Sequence, residues 1–374
     1  MMGKNPKPTG QYAVGTMTFT AKEERDEVLH PGAKRRISAR VYYPVTKDSV
    51  IGIEKAEYMS RDMCKGIKDA FKLPINYDNE TAAGNNVSEC YQDAPRIAGE
   101  KFPLIIFNHG YQSFREGNSF LCIELASHGY IVMTVGHPFE GVCTEYDDAA
   151  PTFADKQLLK TANKPMIPNI IALNKLTKAK GTDEELVKMI DKYQERFGRF
   201  LINRLPEWAE DIYTALDHVK ETMDDMVDFD KGIGLAGHSF GGAVAYYLCM
   251  NDPQFKCGAN IDGMLFGQYH DQVMDKPFLM IACEEHEVLA ARVCCMHSAP
   301  AYKAVFRDMK HVGFSDMKHA IPKFMSGTTG KLDADLMHVN LCKCHLYFFD
   351  AHLKENSKIA DVKSNDVIRF EIYK

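Results

Sequence analysis

No apolar run in the 374-residue chain approaches the roughly 18 residues that a membrane-spanning helix needs. Positive charge is not in excess either. Lys and Arg total 45 against 51 Asp and Glu, a net charge of -6, and no basic stripe with interleaved aromatics is present. That balance gives no support for a nucleic-acid partner. No apolar stretch follows the lysines of Met1-Met2-Gly3-Lys4-Asn5-Pro6-Lys7-Pro8. No signal peptide is therefore visible and the cytoplasm is the expected location, although a trimmed secreted chain would look the same. Internal repeats are absent, as is any glycine-rich nucleotide motif.

A disulfide framework is also missing. The 11 cysteines are odd in number and irregularly spaced, which suits buried free thiols in a reducing compartment. Cys342-Lys343-Cys344-His345 and Cys294-Cys295 with His297 come nearest to a metal site. Neither has a second ligand pair at zinc spacing, and the first falls in an expected helix. They read as core thiols, and no metal or organic cofactor is expected. Asn79-Glu80-Thr81 and Asn86-Val87-Ser88 are glycosylation sequons only in a secreted protein, so they decide nothing.

The chain does have enough apolar residues, 45%, to bury a large core, and its 26% charged residues suit a soluble globular surface. Its organising stretch is Ile233-Gly234-Leu235-Ala236-Gly237-His238-Ser239-Phe240-Gly241-Gly242-Ala243. This reads as a short buried strand, a G-x-S-x-G turn and a helix through Val244 to Leu248. A serine between glycines at such a junction is lifted clear of the sheet, with the next amide aimed at the same point. The helix N-terminus beneath adds positive partial charge where an oxyanion forms. Ser239 is the candidate nucleophile.

In chain order, Gln11 to Thr20 and Ile37 to Tyr43 alternate as an antiparallel pair joined around Pro31-Gly32. Residues 48–100 are less regular: a helical patch from Tyr58 to Phe71 precedes a polar segment, 76–96, that reads as a surface excursion. The apolar run Phe102 to Gly110 predicts a central parallel strand covered on both faces. A helix over Ser119–Ser127 and a strand over Tyr130–Val135 complete a βαβ unit. Residues 141–200 are polar and irregular except for helical spacing over Glu184–Phe200, and are expected to form a cap over the site. Leu205 to Met223 is a further helix. Strands are expected at Lys256–Ile261, Pro277–Cys283 and Ala301–Phe306, a terminal helix at 333–353 and an edge segment at 366–374. The whole chain, 1–374, is expected to be a single α/β domain, a doubly wound, mostly parallel sheet with helical insertions. The serine turn should follow its fourth or fifth core strand.

A serine hydroxyl needs a base to take its proton, and that base must be held in one tautomer by a carboxylate. On this architecture the chain order is serine, acid, histidine. His311, a few residues past the strand ending near Arg307, is the candidate base, with His319 its rival. His338, His345 and His352 share a helical spacing of seven. For the acid, Asp262 ends the first strand after the nucleophile helix, whereas Glu284 and Glu285 end the next one. Spacing alone leaves that choice open. The two oxyanion donors are the Phe240 amide and the Tyr111 amide, with Gln112 next. His109 and His238 read as packing residues.

Several blocks resemble the platelet-activating factor acetylhydrolases of the α/β-hydrolase fold, the plasma and cytosolic type II branch and bacterial relatives. They are Pro8 to Gly15, Arg40 to Pro44, Phe107 to Arg115 with Leu125 to Tyr130, and Gly237 to Ala243 with Phe255 to Gly263. Together they cover about half of the chain. The resemblance implies Asp262 as the acid and His311, beside Phe314-Ser315-Asp316, as the base. Residues 48–100 and 141–200 depart from the family pattern, and Tyr111 stands where a smaller aliphatic residue is usual.

The implied activity is hydrolysis of a short or oxidised sn-2 acyl ester of a glycerophospholipid, with transient lipid-interface contact. A general short-chain carboxylesterase or polyester-type hydrolase is the alternative. A catalytically silent binding protein on the same fold is the contrasting reading.

Overall fold

The opening hairpin forms where alternation places it: β1 (Ala13–Asp26) pairs antiparallel with β2 (Lys34–Val45), Ala13 opposite Val45. The structure is a computed structural model that describes residues 5–72, 75–162, 166–320, 327–355 and 357–374. Within 48–100, β3 (Lys55–Glu57) is followed by α1 (Arg61–Phe71), capped by the Ser60 side chain, and by α2 (Tyr77–Ala82). Next comes β4 (Val87–Gln92), which pairs parallel with β1 and extends the sheet edge through β3. Part of the polar stretch read as a surface excursion is therefore edge strand. Its inward residues Ser88 and Cys90 are buried while Val87 faces out, a half-buried alternation that polar composition hides.

The central strands are β5 (Leu104–Asn108), β6 (Ile131–Gly136), β9 (Ile233–His238), β10 (Phe255–Ile261), β11 (Phe278–Cys283) and β12 (Ala301–Phe306), all parallel. The tail strand β13 (Ile368–Tyr373) closes the far edge antiparallel to β12. Across the 11-stranded sheet the order is β13-β12-β11-β10-β9-β5-β6-β2-β1-β4-β3. β9 follows β1, β2, β5 and β6 in the body of the sheet and lies beside β5, its middle strand.

Successive β5 residues serve opposite faces, as the period of two requires. Leu104 and Ile106 pack under α7 (Arg199–Thr222) and α8 (Phe240–Asn251), with Trp208, Ile212 and Val244. Ile105 and Phe107 pack under α3 (Ser119–Ser127) and α11 (Ala334–Leu353), with Leu125 and Phe349. Both faces are covered, which is why these strands are continuous apolar runs.

Residues 141–200 hold a two-stranded ribbon of β7 (Cys143–Thr144) and β8 (Thr152–Phe153), then α4 (Lys156–Ala162), α5 (Met166–Leu176) and α6 (Asp183–Tyr193). A π turn over Gln194–Gly198 joins α6 to α7. The remaining helices, α9 (Ala291–Cys295) and α10 (Met317–Ala320), are short. Among the described residues no helix is long and apolar enough to cross a membrane. All eleven cysteines are free thiols, nine of them buried, including Cys342 and Cys344 in α11.

Candidate active site

Ser239 sits between the C-terminal end of β9 and the first residue of α8, with φ 57 and ψ -121. A side chain rarely takes that conformation, and the flanking glycines make it possible. A Cβ on Gly237 would stand 2.3 Å from the Gly241 carbonyl carbon, and one on Gly241 would stand 2.1 Å from the Asn108 carbonyl oxygen. Only glycine allows the turn to lie this close to β5 and to itself. The turn is pinned by the Ser239 amide, which donates to the Ile261 carbonyl at 2.8 Å.

His311 begins a 3₁₀ turn (His311–Phe314) just past β12. Its Nε2 lies 2.9 Å from Ser239 Oγ, and its Nδ1 lies 2.7 Å from Asp262 Oδ2. With Nδ1–H donating to the carboxylate, Nε2 is free to accept the serine proton. Asp262, directly after β10, is buried, and its Oδ1 accepts the Cys283 amide at 2.7 Å. Burial pushes its pKa up, but hydrogen bonds from His286 and His311 outweigh burial and hold it below the ordinary carboxylate range. Asp262 is therefore an anion at neutral pH.

The 3₁₀ turn is anchored on two sides. His238 Nε2–H donates to the His311 carbonyl at 3.0 Å, and Asn118 Nδ2 donates to the Phe314 carbonyl at 2.7 Å. Asp316, two residues beyond Phe314, accepts from the Phe120 amide at 3.2 Å and the Tyr58 hydroxyl at 3.0 Å. That ties the turn to the start of α3. Burial lowers the pKa of His238 to about 3, so it is a neutral donor.

The Gly110 backbone lies against the serine, and a Cβ there would be 3.1 Å from Ser239 Cβ. Of the amides that follow, Gln112 donates to the Glu140 carbonyl at 3.1 Å and is occupied. Among the described residues no acceptor takes the Tyr111 or the Phe240 amide. His109 braces the loop from below, its Nδ1 2.7 Å from the Gly110 carbonyl and its pKa lowered by burial to about 3. Glu140 is fixed by two hydrogen bonds from Arg204, at 2.9 and 2.7 Å, and one from Trp208 at 3.1 Å. The Tyr111 ring packs edge-on against Phe200 and Phe240, with centroids 5.8 and 5.9 Å away.

Glu284 and Glu285 lie elsewhere: Glu284 accepts the Asp308 amide at 3.2 Å and Glu285 pairs with Lys310 at 2.6 Å, both near the surface. His319 packs against Phe120 and His338 instead. Sequence reasoning passed over one member of the cluster. His286, on the 3₁₀ turn after β11 (Glu284–Ala290), places its Nδ1 2.8 Å from the same Asp262 Oδ2. A histidine three residues past the strand end, beside the two rival glutamates, was the available signal. Asp262, His286 and His311 offer ligand atoms within 4.8 Å of one another, but hydrogen bonding accounts for that proximity.

Comparison with known proteins identifies the family. The family model "Platelet-activating factor acetylhydrolase, isoform II" matches residues 2–366. The chain belongs to this family. It is 25% identical to a platelet-activating factor acetylhydrolase of Canis lupus familiaris over 375 residues, covering 93% of this chain and 77% of the dog protein. The enzyme of that name from Bos taurus is 27% identical over 277 residues, covering 68% of this chain and 58% of its own length. Among solved structures, a ferulic acid esterase from Streptomyces cinnamoneus superposes over 100% of both chains with a TM-score of 0.69 at 20% identity, a likeness of fold. The fold is that of the α/β-hydrolases, and family membership makes the chain a carboxylic ester hydrolase.

Proposed function

We propose that the chain is a serine esterase acting through an acyl-enzyme on glycerophospholipids that carry a short or oxidised sn-2 acyl group. The observation that carries the reading is the continuous relay from Ser239 Oγ through His311 to Asp262, at 2.9 and 2.7 Å. His311 takes the hydroxyl proton as Ser239 attacks the ester carbonyl. Asp262 stabilises the imidazolium that forms, and the Phe240 and Tyr111 amides hold the oxyanion. His311 then protonates the departing lysolipid alkoxide, and water activated by the same base releases the carboxylic acid.

The short acyl group is favoured by the aromatic wall beside the hole, formed by Tyr111, Phe200 and Phe240. Phe200 closes the 141–200 segment, which is consistent with that segment roofing the site. A lipid surface is favoured by α5, which exposes Ile167 (70%), Ile170 (49%) and Ile171 (64%) on one face.

The test is acetate release from a 2-acetyl glycerophospholipid beside a soluble aryl acetate. Both rates are normalised to titrated Ser239, with Ser239→Ala as blank. Preference for the phospholipid is the expected result. Fast aryl acetate turnover with a silent phospholipid would move the assignment to a general short-chain esterase.

A further inference from the structure

Asp262 Oδ2 serves two imidazoles. His311 donates to it at 2.7 Å and His286 at 2.8 Å, and the two rings stand edge to face with centroids 5.6 Å apart. One carboxylate charge is thus shared between two bases, only one of which reaches Ser239. We infer that His286 is a positioning residue that takes up the first proton the shared carboxylate attracts and so sets the acid limb of turnover. This rests on the reading of Ser239, His311 and Asp262 as the reacting set.

The two rings are coupled, because a proton on either uses the same counter-charge. With His286 protonated, Asp262 is already neutralised and a second cation would lie 5.6 Å from the first. A unit charge at that distance opposes a second one even with the dielectric of water.

The other groups around His286 favour the same assignment. Burial works against charge on its ring, but the hydrogen bond to Asp262 and the charge of that carboxylate prevail and raise its pKa. Glu285 on the same turn favours the cation and Lys310, next to His311, opposes it. Those two are paired with each other at 2.6 Å, so their fields largely cancel. The Cys283 thiol, 3.6 Å from Asp262 Oδ2, is pushed up by burial and remains uncharged. His238 faces His311 from the other side and is neutral.

The experiment is the pH dependence of kcat/KM on a soluble aryl acetate for wild type, His286→Gln and His286→Phe, each scaled to its own plateau and to titrated Ser239. Glutamine keeps a donor to Asp262 but carries no charge. The expected result is an acid limb moved to higher pH by at least about half a unit in His286→Gln, and by as much or more in His286→Phe. Profiles that superpose on wild type overturn the inference and leave the reacting set intact. Turnover persisting in Ser239→Ala would overturn the reading beneath it. As a check independent of variants, imidazole NMR of the wild type should show the His286 resonance titrating in two coupled steps. Independent single-site curves would contradict the sharing.

Discussion

His238 Nε2 donates to the carbonyl of His311 across 3.0 Å, so the residue before Ser239 holds the backbone of the histidine that hydrogen-bonds it. The contact links the tip of β9 to the turn after β12, two segments that share no ladder. Geometry between Ser239 and His311 is therefore set twice, once by their own hydrogen bond and once by this brace.

Removing the donor should loosen the base without altering the substrate pocket. His238→Leu is expected to lower kcat by about tenfold to a hundredfold, the order of loss a misplacement of about 1 Å produces, with KM changed little. His238→Gln, which can still donate, should recover most of it. Steady-state kinetics of the two variants on one ester checks this.

Acid should destabilise the fold through the same ring and its neighbour in the oxyanion loop. His109 and His238 are both lowered to about 3 by burial, whereas an unfolded histidine titrates near about 6.5. The unfolded chain binds these protons first as pH falls, so stability is full above about 6.5 and declines between about 6.5 and 3. Each group contributes a slope of about 1.4 kcal/mol per pH unit. His286, raised in the fold, contributes its share in full below about 6.5 and loses it at higher pH, so it does not offset the decline. Urea midpoints at pH 7.5 and pH 5 should show the drop, and His109→Gln should flatten it.

Acyl length should follow the side chain of Tyr111, since only its backbone amide is proposed as an oxyanion donor. Tyr111→Ala removes the ring wedged against Phe200 and Phe240. The ratio of kcat/KM for a hexanoyl over an acetyl ester is expected to rise about tenfold, the discrimination that one or two methylenes supply in an apolar pocket. An unchanged ratio would place the acyl chain elsewhere.

Much of this was legible in the sequence because burial writes itself into composition. Strands covered on both faces, such as Leu104–Asn108, must be apolar throughout, and the G-x-S-x-G turn admits no bulkier flank. What escaped was either short or only half-buried. β3 spans three residues, and β4 alternates a buried Ser88 and Cys90 with outward polar groups. The helices α4 and α5 escaped because lysines and outward isoleucines give no inward apolar stripe. Within the site, spacing left Asp262, Glu284 and Glu285 equal, since all three end parallel strands. The deciding contact, from a carboxylate to a ring 49 residues away, exists only after folding. His286 lay hidden for the same reason.

The proposed mechanism requires that Ser239 is acylated with His311 as its base. The most direct measurement is stoichiometric labelling with an organophosphorus ester, followed by intact mass, peptide mapping and residual turnover. One adduct per chain on Ser239 is expected, with activity lost in proportion and labelling slowed by about a hundredfold or more in His311→Gln. An adduct on another residue, or ester turnover surviving complete modification of Ser239, would contradict it.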